Sequence, residues 1–64
     1  MGDGREVIFE LQRIGSAVKV IAVDAATGIE ASILGPAAAG EAELCRIARQ
    51  KLAYVLARRS AERR

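Results

Sequence analysis

Two turn signals set the frame for this chain. Gly15-Ser16 lies between two runs that alternate apolar and polar residues. Glycine at the first position of a two-residue loop marks a type II′ hairpin, because that position needs a positive φ. Counting outward from the loop pairs Ile14 with Ala17, Leu11 with Val20 and Phe9 with Ala22. The second signal is DAATG at 24–28, where the Asp24 side chain bonds forward into the turn and Gly28 supplies a left-handed residue. A four-residue loop over 25–28 pairs Asp24 with Ile29, Ala22 with Ala31 and Val20 with Ile33. The two counts are independent, yet they agree on which face is apolar. A one-residue slip in either would reverse that face. The expected sheet is a three-stranded antiparallel meander with the second strand central. Its inner face carries Val7, Phe9, Leu11, Val18, Val20, Ala22, Ile29, Ala31 and Ile33.

An apolar sheet face needs a cover, and residues 41–59, EAELCRIARQKLAYVLARR, supply one. At about 100° per residue, Leu44, Ala48, Leu52, Val55 and Leu56 fall on one helical stripe, with Arg46, Arg49, Gln50, Ala53 and Ala57 opposite. Ile47 and Tyr54 widen the apolar arc to roughly 200°, with Lys51 and Arg58 lying among them. Gly40 serves as N-cap, Glu41 and Glu43 suit the first turn, and Arg58 and Arg59 suit the last. A helix of about 28 Å matches strands of about 23–26 Å, so one helix lies across one sheet. The expected fold class is α+β, in the order β-β-β-α, as a single domain over residues 1–64. It divides into a flexible leader at 1–4, the meander at 5–35, a connection at 36–40, the helix at 41–59 and a flexible basic tail at 60–64. Gly35-Pro36 is expected to stop the third strand, with Pro36 opening a preliminary helical turn.

The other sheet face points to association. In the same register Ile8 lies beside Val23 and Glu10 beside Ile21, with Leu34 and Ile14 further along. A wholly solvated face would carry Thr, Lys and Glu there. The candidate interface is therefore Ile8, Ile21, Val23 and Leu34 with Ile47 and Tyr54 from the helix flank, and the expected partner is another copy, as a homodimer or higher homo-oligomer. Size favours the same reading. Sixty-four residues with only Phe9 and Tyr54 as aromatics make a thin core of Val, Ile, Leu and Ala.

The inventory for chemistry is short. There is no histidine, and the one cysteine, Cys45, lies on the apolar shoulder of the helix, where a thiol acts as a small hydrophobe. A lone cysteine forms no intramolecular disulfide, which fits a reducing cytoplasm. Glu10 stands diagonal to Lys19, as an ordinary cross-strand ion pair does. Gly35-Pro36 lacks the glycine spacing and lysine of a phosphate loop. No catalytic, cofactor or metal site is expected, so the chain is read as non-enzymatic. The N-terminus lacks a signal-peptide pattern, and no apolar run approaches the ~20 residues of a membrane span.

Charge opens one alternative. Residues 1–40 carry three basic side chains against five acidic ones, whereas residues 41–64 carry seven against three. Arg46, Arg49, Arg58, Arg59, Arg63 and Arg64 form a candidate nucleic-acid contact. A meander followed by a helix containing QKLAYVL resembles the last four elements of a double-stranded RNA-binding domain. That family has a further helix in front and lysines at the start of its last helix, whereas this chain has Gly40, Glu41, Ala42 and Glu43 there, which repel phosphate. A third reading lays the arginine-rich helix on an anionic membrane, but a stripe that covers the sheet cannot also face lipid.

One resemblance covers nearly the whole chain. FELQRIGSAVKVIAVDAATGIEASILGP at 9–36, followed by LCRIARQKLAYVLAR at 44–58, resembles a family of short bacterial proteins known only as a domain of unknown function. Its signature is a GxxVKVxAxDxxTGxE core and a KLxYVL ending. These are met here by Gly15, Val18, Lys19, Val20, Ala22, Asp24, Thr27, Gly28 and Glu30, then Lys51, Leu52, Tyr54, Val55 and Leu56. The resemblance implies a free-standing one-domain protein and brings no activity, cofactor or site with it.

Overall fold

A computed structural model describes residues 6–62. Three strands, β1 (Val7–Ile14), β2 (Ala17–Asp24) and β3 (Glu30–Pro36), form one antiparallel sheet in the order β1-β2-β3. A 3₁₀ turn at Ala37–Ala39 leads to one helix, α1 (Glu41–Glu62). The fold is α+β, with the helix after the meander. Both counted registers hold, including Leu11 with Val20 and Phe9 with Ala22 on one side, and Val20 with Ile33 and Ala22 with Ala31 on the other.

The turns do what their residues require. Gly15 has φ 60°, and among the described residues none other than glycine has a positive φ, so Ser16 does not. A type I′ turn would need both central residues positive; one positive glycine in first place is the type II′ pattern. At the second turn the buried Asp24 carboxylate accepts from Thr27 N at 3.1 Å and from Thr27 Oγ1 at 2.7 Å. The Thr27 hydroxyl also accepts from Ile29 N at 3.2 Å, which delivers the chain into β3. Replacing Thr27 with alanine removes both hydroxyl bonds and is expected to cost about 1 kcal/mol, read as a lower urea midpoint. Thr27→Ser, which keeps the hydroxyl, should restore most of it.

The core lies between α1 and the inner sheet face. Its buried members are Val18, Val20, Ala22, Ala31, Leu44, Ala48 and Leu52, with Val7, Phe9, Ile29, Ile33, Cys45, Val55 and Leu56 packed half-buried around them. Cys45 thus takes its place as a boundary hydrophobe. Alanines 22 and 31 pair across β2 and β3, and such small residues let the helix approach closely.

The helix packs on β3 and β2 rather than across all three strands. A helix is about 10 Å wide, while three strands at about 4.8 Å spacing need more cover than that. The short link from Pro36 to Glu41 starts the helix beside β3, so the shortfall falls on β1. Leu11, expected inside, is 36% exposed as a result.

Three further expectations are corrected. β3 does not stop before Gly35-Pro36 but includes both residues and ends at Pro36, with Gly35 opposite Val18 and Pro36 opposite Ala17. The helix does not end at 59 but continues to Glu62, so residues 60–62 of the expected flexible tail are helical. Arg58 approaches Glu62 at 3.7 Å one turn on, a pair that supports the added turn. Glu10 and Lys19 do not close an ion pair; among the described residues the pairs are Glu43 with Arg46 and Arg58 with Glu62. The leader at 1–4 and Arg63 and Arg64 lie outside the described residues.

Candidate interaction surface

The outer face of the sheet is read row by row from the register. Ile8, Val23 and Glu30 form one row, Glu10, Ile21 and Ser32 the next, then Gln12, Lys19 and Leu34, and last Ile14, Ala17 and Pro36. Ile21 is at the centre, with Ile8 and Val23 in the adjoining row and Leu34 diagonal to it on β3. Diagonal neighbours on paired strands stand about 7–8 Å apart, within reach of long side chains. Ile8 and Ile14 are each 53% exposed and Leu34 is 66% exposed. The helix covers the opposite face, so no other described element shields these side chains.

Not all six predicted interface residues come together. Ile8, Ile21, Val23 and Leu34 share the outer sheet face. Ile47 and Tyr54 belong to the helix layer on the other side of the sheet, on the flank that overhangs the free edge of β3. Lys51 marks that flank: its Nζ donates to the Ser32 carbonyl at 2.8 Å, across the edge. Ile14 completes the last outer row, and its alternation in β1 already placed it there. Leu11 was not recoverable from alternation, because its exposure depends on where the helix sits.

The arginines of the alternative surface are largely engaged. Arg46 donates to the Glu43 carboxylate through Nε at 3.0 Å and Nη2 at 2.6 Å. That bidentate contact holds the Glu43 carboxyl below its usual range and raises the Arg46 guanidinium. Arg49 lies over the Phe9 ring, 5.4 Å from its centroid, and so covers part of β1 that the helix backbone leaves open. Arg58 donates to the Tyr54 hydroxyl at 3.1 Å as well as facing Glu62. Arg59 is exposed near the helix end.

No group of three or more metal-ligating side chains gathers among the described residues. A shallow depression lined by Tyr54, Ala57, Arg58, Ala61 and Glu62 draws every wall from α1. One helix encloses nothing, so the depression positions no reacting group. Among the described residues no helix is long and apolar enough to cross a membrane.

Residues 4–59 match the family described as "Domain of unknown function (DUF6898)". The chain belongs to that family. The match spans all three strands and the helix through Arg59. Comparison with curated proteins and with solved structures returns no match.

Proposed function

We propose that this member of DUF6898 is a non-enzymatic interaction module that works as an assembly of its own copies in the cytoplasm, and that the assembly engages a protein partner. The observation that carries the reading is the outer sheet face, where Ile21 and Val23 adjoin the exposed Ile8 and Leu34. An aliphatic cluster of that kind, bordered by Glu10, Lys19 and Glu30 on a sheet with a covered opposite face, is what an interface provides. The core gives a second reason. Among the described residues only seven apolar side chains are buried, so burial against a second copy adds stability that the single chain lacks.

Substituting Ile21 with lysine sets an ammonium in the middle of this face, where the free chain has solvent. The variant is expected to keep its circular dichroism spectrum and to show a lower solution mass than wild type. An unchanged mass would remove the outer face from the account. The nucleic-acid reading is less well supported, since Arg46, Arg49 and Arg58 already face partners in the chain. Duplex binding at low salt that weakens steeply as salt rises would reverse that order.

A further inference from the structure

The sheet has two edges, and they differ. On β3, Lys51 Nζ occupies the Ser32 carbonyl and Pro36 has no N–H to offer. Lysine and proline at an edge are the usual means of keeping other strands away. On β1 there is no proline and no bulge, and among the described residues no helix side chain bonds to its backbone. The strand is eight residues long, and its pairing with β2 is continuous from Val7 to Ile14. The Glu6 carbonyl accepts from Ala25 N, and Ile14 flanks the two-residue loop, so the even-numbered residues of β1 turn their backbone toward β2. Val7, Phe9, Leu11 and Arg13 therefore present their N–H and C=O groups outward. These residues also lie on the inner face that α1 leaves half-covered. The only charged one, Arg13, is at the strand's end and donates from Nε to the Gly15 carbonyl.

We infer that this open edge pairs antiparallel with β1 of a second copy, with Leu11 on the twofold axis. The inference rests on the self-association reading and adds a second contact to it. Continuing the sheet in the same plane requires odd-numbered residues to meet odd-numbered ones, so only alternate registers qualify. Two of them overlap most of the strand. In the first, Glu10 meets Glu10 of the second copy directly, and like charges in that position repel. In the second, Leu11 meets Leu11, Ile8 meets Ile14, Phe9 meets Arg13 and Glu10 meets Gln12. No like charges face each other, and two of the exposed outer isoleucines cover one another. The seam makes a six-stranded sheet whose apolar outer face is twice as wide. Its twofold axis is perpendicular to that of outer faces packed back to back, so the two contacts together close on four chains where the axes intersect.

The test places single cysteines at Leu11, Glu10 or Gln12 in a Cys45→Ala background and follows covalent dimer formation under mild oxidation. All three positions are exposed, so each variant should fold, as circular dichroism will verify. Facing hydrogen-bonded residues have Cα atoms about 5.5 Å apart, within disulfide range, whereas a two-residue offset exceeds it. Leu11→Cys is expected to crosslink about tenfold faster than Glu10→Cys or Gln12→Cys. Ile21→Lys, lacking the outer contact, should remain at twice the chain mass. Equal crosslinking at all three sites, or none, with wild type still assembled, overturns the edge pair and leaves the outer face standing. Faster crosslinking at Glu10→Cys overturns the register. A wild type at the mass of one chain overturns both readings.

Discussion

Leu52→Ala is expected to leave a large share of the chain unfolded at 37 °C. Leu52 is 1% exposed and is the largest fully buried side chain among the described residues, set where α1 meets β2 and β3. Removing a buried leucine side chain costs about 2–5 kcal/mol, the spread reflecting how far the surroundings can collapse. A folded chain of this length is stable by only about 3–10 kcal/mol on the usual per-residue scale. The other buried members of its cluster are Val18, Val20, Ala22, Ala31, Leu44 and Ala48, mostly short side chains on regular elements that relax little. Urea unfolding followed by far-ultraviolet circular dichroism reads the loss, at matched protein concentration because assembly adds to apparent stability. A cost under about 1 kcal/mol would mean that the helix is not held by this contact.

The second large effect concerns Gly35. A Cβ built there would come within 2.5 Å of Leu44 Cδ2, and Leu44 is a buried core residue with little freedom to move. Gly35→Ala is therefore expected to cost about 1–3 kcal/mol by overpacking. The next nearest atom is Leu44 Cγ at 3.8 Å, an ordinary contact. Shortening Leu44 to valine removes the clashing atom, so Gly35→Ala should cost almost nothing in a Leu44→Val background. The double-mutant cycle isolates that coupling. Equal costs in both backgrounds would place the role of Gly35 in the strand backbone instead.

Gly35 also shows where sequence reasoning reached its limit. Next to Pro36 it reads as a stop signal, and β3 does end at Pro36, yet the glycine is still paired in the strand and gives Leu44 its close seat. Nothing local to Gly35-Pro36 tells the two apart, because the reason lies nine residues away on another element. The hairpins were legible for the opposite reason. Their registers depend on Gly15-Ser16, DAATG and a period-two pattern, all of them local. The buried helical stripe Leu44, Ala48 and Leu52 was equally plain from spacing alone. What alternation could not supply was lateral position. Whether one helix covers β1 or β3 depends on the link at 37–40, and that choice exposes Leu11 and caps the β3 edge with Lys51. The candidate interface divided along the same line: the four sheet residues share a face because register decides it, while Ile47 and Tyr54 followed the helix to the other layer.

Association through the sheet is the claim from which the rest follows, and the mass of the wild-type chain in solution tests it most directly. Light scattering over a concentration series is expected to give a mass well above the 6.8 kDa of one chain, rising toward a fixed whole-number multiple of it. A mass that stays at that of one chain throughout the series would contradict the account.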